Sequence, residues 1–144
     1  GKLNPRDEAQ KLFNRLDLAA AIDNHFRVSQ EELVAFYNEA SVFVSPSLYE
    51  GFGMPAAEAM ASSTAVVVTN GGALPEVVGN DGVVVPTGDS QALAAAVADL
   101  LRDPERRIAL EQRGRDRIVK EFSWAACGRR TEHEYKAVLA NADR

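Results

Sequence analysis

A chain of 144 residues, 46% of them hydrophobic, is long enough for one domain with a real core. Its formal net charge of −5 excludes a general electrostatic grip on a nucleic-acid backbone, and its one cysteine, Cys127, excludes an internal disulfide. The lone thiol fits a reducing compartment, so a cytoplasmic location is expected; no apolar run approaches the ~18 residues of a membrane helix, and no signal peptide is visible. Gly1 stands where a methionine is expected, as in a processed or excised piece.

In chain order, Arg6 to Ala21 reads as a helix, with Leu12, Phe13, Leu16 and Ala20 at helical spacing. His25 to Val28 is a weak, short strand candidate. Ser29 opens a second helix through a capping box, Glu32 reaching back to it, with Leu33, Phe36, Tyr37 and Ala40 as the apolar face. A short strand, Ser41 to Ser45, leads to a glycine turn and a helix within Ser47 to Met60. Ala65 to Thr69 is an unbroken, largely β-branched run, as expected of a strand buried on both faces. Pro75 suits the first turn of a short helix ending at Val78, and Gly82 to Pro86 reads as a third buried strand. Asp89 or Ser90 caps a helix to Arg102. Asp103-Pro104 starts another that runs to Glu121, and Ser123 caps the last, through about Ala140. Strands alternating with helices over short connections predict an α/β fold, a Rossmann-like parallel sheet with helices on both faces. Ligands in such sheets bind beyond the C-terminal strand ends, where Ser45–Met54, Asn70–Leu74 and Thr87–Asp89 fall.

The turn after the first firm strand, "SLYEGFGMPAAEAM" (Ser47 to Met60), carries the chemistry. Gly51 and Gly53 permit tight geometry, and Pro55 suits the first helical turn, where a missing N–H costs little. Backbone amides around Gly53 and Met54 then face outward with the helix dipole behind them, an arrangement that takes anions, phosphate most often. Two carboxylates beside an anion site look misplaced unless they serve hydroxyls. A carboxylate is acceptor-only and can take both hydrogen bonds of a vicinal diol, as acidic residues do on ribose in Rossmann domains. Glu50 and Glu58 would then bind sugars on either side of a phosphate, which describes a nucleotide sugar. A plainer reading of equal weight keeps Glu58 as an acid favouring the helix dipole and Glu50 as an exposed loop residue.

The separation of Glu50 and Glu58 and the string "PSLYEGFGMPAAEAM" resemble the E-x7-E core of retaining glycosyltransferases with the GT-B fold, those of group 1 or family 4 type. The resemblance runs from about Arg27 to Leu139 through "RVSQEELVAFYNEASVFVSPS", "GGALPEVV", "VVVPTGDSQALAAAV" and "FSWAACGRRTEHEY". It implies a C-terminal donor-binding domain, residues 1–144, truncated at its N-terminal edge. It implies transfer of a sugar from a nucleotide-sugar donor (UDP- or GDP-linked) to an unknown acceptor, with retention. Glu50 would be the catalytic residue binding donor-sugar hydroxyls, and Glu58 would take the ribose hydroxyls. Amides of Gly51, Phe52, Gly53 and Met54 would meet sugar and diphosphate, and backbone at Arg27 and Val28 would face the base. No cofactor and no metal is implied, and the acceptor-binding domain is missing.

Ser63-Thr64-Ala65 replaces the family's usual Gly-Thr-Pro, a change of turn rather than chemistry. The strand before "RVSQEE" is shortened, which touches the base pocket. The family's catalytic Arg and Lys have no matching motif here, and no Lys or Arg lies between Arg27 and Arg102. A diphosphate leaving group needs cations as well as dipoles, so the chain reads as catalytically incomplete, with a non-catalytic binding module or an inactive fragment as alternatives. The arginines of 102–130 read mostly as a solvated helical face, with contact to a membrane surface or lipid acceptor by the parent enzyme as the weaker reading. Cys127 is expected to be packed, and Phe122 and Trp124 to anchor the last helix.

Overall fold

The apolar run Ala65–Thr69 forms the central strand β2 of a three-stranded sheet in a computed structural model of the chain, which describes residues 8–18 and 20–142. Strands β1 (Val42–Ser45) and β3 (Val83–Val85) flank it, both parallel to it. The register pairs Val42 with Ala65 and Val67 with Val83. Every residue of β2 is buried, as a strand covered on both faces must be.

Helix α3 (Met54–Ala61) connects β1 to β2, and α4 (Leu74–Val78) connects β2 to β3. Alternate residues of a strand face opposite sides. Ala65 and Val67 join Val85, Leu100 and Leu110 in one buried cluster, contributed by α5 (Ser90–Arg102) and α6 (Pro104–Glu121). Val66 and Val68 face the other way, where α3 and α4 pack on β2 and bury Met60, Leu74, Val77 and Val78. The helices therefore cover the sheet on both sides, as the alternation of elements predicts.

Caps read from sequence are present. Ser29 Oγ accepts from Glu32 N–H (3.2 Å), and Glu32 accepts from Ser29 N–H (2.7 Å), opening α2 (Gln30–Glu39). Asp89 accepts from Gln91 and Ala92 N–H, and Asp103 from Arg106 N–H. Ser123 Oγ accepts from Ala126 N–H at the start of α7 (Trp124–Ala142).

Three expectations are corrected. Helix α1 spans Glu8–Arg15 and stops short of Ala21, with Asp17 at φ +51° ending the run; Arg6 and Ala19 lie outside the described residues. His25 to Val28 is not a strand, since Arg27 takes φ +57°, which breaks an extended run. The third strand is an edge rather than a buried one: β3 pairs only with β2, and Val84 is 38% exposed. The chain divides into two compact units, Gly1–Leu33 and Val34–Arg144, and the sheet lies wholly in the second.

Candidate functional site

Gly53 is the N-cap of α3 and sits in the left-handed region at φ +95°. A Cβ there would come within 2.7 Å of the Leu74 side chain, so both backbone and packing demand glycine. Ala56 and Ala57 donate back to the Gly53 carbonyl at 3.0 and 3.1 Å, and Pro55 has no N–H. The amides left for a ligand at this turn are therefore those of Phe52, Gly53 and Met54. No side-chain hydrogen bond caps α3 at Gly53.

The loop that carries Glu50 rests on the segment after β2. Thr69 Oγ1 donates to the Ser47 carbonyl (2.5 Å), and Ala73 N–H donates to the Glu50 carbonyl (2.9 Å). A Cβ on Gly71 would lie 2.7 Å from the Leu48 carbonyl oxygen, and one on Gly72 (φ +64°) 2.2 Å from that of Glu50. The sequence assigns these glycines to a turn near the ligand edge; the structure adds that they form the floor under Glu50. Glu50 is half-buried rather than an exposed loop residue. Gly51 is exposed, with open space around it.

Glu58 is the fifth residue of α3, beyond the first turn, and its Oε2 accepts a hydrogen bond from the Tyr37 hydroxyl (3.1 Å). Tyr37 is buried, and its phenol is pushed up to about 12, first by burial, then by the hydrogen bond to Glu58 and that carboxylate's charge. Sequence reasoning put Tyr37 on an apolar face and missed this role. A buried tyrosine hydroxyl needs a partner, which was the available signal.

Phe52, Met54, Ala57, Glu58 and Ala61 form one wall of a cavity of about 310 Å³; Ile118, Phe122, Trp124 and Cys127 form the other. Phe52 meets Phe122 edge to face, 5.9 Å between ring centres. Two expectations fail here. Trp124 is 91% exposed and anchors nothing, because it starts α7 with its ring outward; Cys127 is exposed, the packed position being Ala126. Glu50, Gly51 and Gly53 are not in this lining but lie along the loop entering it. Arg27 and Val28 belong to the first unit, Arg27 exposed and Val28 half-buried. A smaller crevice of about 140 Å³ lies beyond the C-terminal strand ends, among Pro46, Leu48, Thr69 and Gly88–Ser90.

The α6 arginines are not merely a solvated face. Arg115 donates to the Ala61 carbonyl at the C-terminus of α3. Arg117 donates to the Glu76 and Val77 carbonyls of α4 at 2.8 and 2.9 Å. Arg113 pairs with Asp81 at 3.0 Å. Cations at helix C-termini satisfy orphan carbonyls and the dipole. For α3, this commits Arg115 to the end opposite the Gly53 turn. Among the described residues, no group of three His, Cys, Asp or Glu side chains is placed to hold a metal, and no helix is long and apolar enough to cross a membrane.

Residues 1–117 match the family described as Glycosyl transferases group 1. The chain is 40% identical over 142 residues to the MMP alpha-(1->4)-mannosyltransferase of Mycolicibacterium hassiacum, covering 96% of this chain and 34% of that protein. Its fold is similar to that of sucrose-phosphate synthase from Thermosynechococcus elongatus, with TM-score 0.82 and 31% identity over 98% of this chain and 38% of the other. It is also similar to the C-terminal domain of a glycosyl transferase group 1 family protein from Francisella tularensis, with TM-score 0.71 and 32% identity over 84% and 66%. The chain thus spans about a third of the mannosyltransferase and of the synthase.

Proposed function

The chain belongs to the glycosyl transferases group 1 family, and on that premise we propose that it is the donor-binding domain of a retaining, GT-B glycosyltransferase. The observation that carries this reading is the left-handed Gly53 turn, which opens α3 without a side-chain cap between Glu50 and Glu58. Neutral amides of Phe52, Gly53 and Met54 take the diphosphate, since a helix start favours negative charge. Glu50, whose backbone carbonyl accepts from Ala73 N–H, accepts from donor-sugar hydroxyls through its carboxylate; Glu58 accepts from the ribose diol. The donor is a UDP- or GDP-sugar, no metal or cofactor takes part, and the chain works within a longer cytoplasmic enzyme that supplies acceptor binding.

Calorimetric titration with UDP and GDP tests this. One of the two binds, and Glu58→Ala weakens it at least about tenfold, the loss of two hydrogen bonds to a charged acceptor. Binding left untouched by Glu58→Ala would remove the ribose role. No binding by either nucleotide would remove the donor-domain reading.

A second reading, binding without turnover by this chain alone, is favoured by the commitments of Arg113, Arg115 and Arg117 to Asp81 and to carbonyls of α3 and α4.

A further inference from the structure

We infer that Tyr37 is a positioning residue that sets Glu58 for the ribose diol, an inference that rests on the ribose role proposed for Glu58. Tyr37 lies 21 residues before Glu58, on α2, and donates its hydroxyl hydrogen bond to Oε2. The phenol is itself fixed from several sides. Its ring packs edge-on against Phe43 of β1, centres 5.8 Å apart at 70°. Its backbone carbonyl accepts from the buried Thr64 Oγ1 at 2.6 Å, in the link between α3 and β2. A rigid donor thus meets a flexible acceptor.

Glutamate has three rotatable side-chain bonds, and a free carboxylate on a cavity wall samples several rotamers. A ligand that needs one of them must order the side chain on binding, at a cost in affinity. A hydrogen bond from a fixed ring selects the rotamer beforehand, as outer partners do for catalytic and metal-bound groups. An ionised carboxylate has about four acceptor positions, so the phenol takes one and leaves enough for both hydroxyls of a diol. The phenol is a donor throughout the working range, because burial and the carboxylate keep its proton on. Glu58 also lines the 310 Å³ cavity, so its remaining positions face a space where a ligand fits.

The test is calorimetry on the full chain with UDP, GDP and their 2′,3′-dideoxy counterparts, for wild type, Tyr37→Phe, Glu58→Ala and the double variant. Tyr37→Phe keeps the ring and is expected to weaken the ribonucleotide about three- to tenfold. It leaves the dideoxynucleotide within about twofold and has no further effect in the Glu58→Ala background. A merely structural role would weaken both nucleotides alike, and that result overturns the inference. So does wild-type affinity in Tyr37→Phe when Glu58→Ala is weakened; the ribose role then stands and Tyr37 alone falls. If the wild type binds ribo- and dideoxynucleotide equally, the ribose role fails and takes this inference with it.

Discussion

Gly72 shows how much one missing side chain does. Its left-handed φ of +64° costs any other residue strain, and a Cβ would sit 2.2 Å from the Glu50 carbonyl oxygen. Gly72→Ala is expected to destabilise the chain by about 2–4 kcal/mol in denaturant titration and to disturb the loop bearing Glu50. Tyr37 makes a prediction on the pH axis. A free tyrosine ionises near 10 and this one near about 12, so folding favours the protonated phenol. Its contribution is complete below about pH 10 and is lost as pH rises through about 12. Unfolding midpoints followed from pH 8 to 12 show this decline, and Tyr37→Phe flattens it; an unchanged decline in that variant would place the titrating group elsewhere. Neither residue's role was readable beforehand. "GG" announces a turn, but not which carbonyl it must clear, and a tyrosine at helical spacing looks like core until its hydroxyl partner is known.

At the scale of elements, helices were the most legible part. Capping residues act within a few positions, so Ser29, Asp89, Asp103 and Ser123 marked four helix starts from local sequence alone. The central strand was equally clear, because burial on both faces leaves an apolar run. The Gly82–Pro86 run looked the same and proved to be an edge, since strand order is a property of the sheet and not of the run. Leu100 of α5 is fully buried against Ala65, Val67 and Val85. Leu100→Ala is expected to cost about 2–5 kcal/mol, read as a lowered urea midpoint at unchanged m-value. The α6 arginines were read as solvated because helical periodicity puts them off the apolar stripe. Their reach to the Ala61, Glu76 and Val77 carbonyls depends on where α3 and α4 end in space.

For the whole molecule, the decisive quantity is charge where a diphosphate would leave. A helix terminus contributes roughly 0.3–2 kcal/mol, well below the ~8 kcal/mol or more that enzymes remove from a barrier. With Arg113, Arg115 and Arg117 committed to Asp81 and to helix ends, this chain by itself is expected to bind a nucleotide sugar and to release no nucleoside diphosphate above the uncatalysed rate. A phosphate-release assay coupled to nucleotide hydrolysis checks this, and turnover by the chain alone would refute it.

Sequence by itself determined the α/β alternation, the helix caps, the buried central strand and the glycine turn between two acids. All of these are written in residues a few positions apart, where backbone preference and periodicity decide. Tertiary structure alone decided that Gly71 and Gly72 floor the Glu50 loop, that Tyr37 holds Glu58, and that Arg115 and Arg117 serve helix ends. Those contacts join residues 21 to 54 positions apart, and no local preference encodes which surfaces meet when the helices close over the sheet.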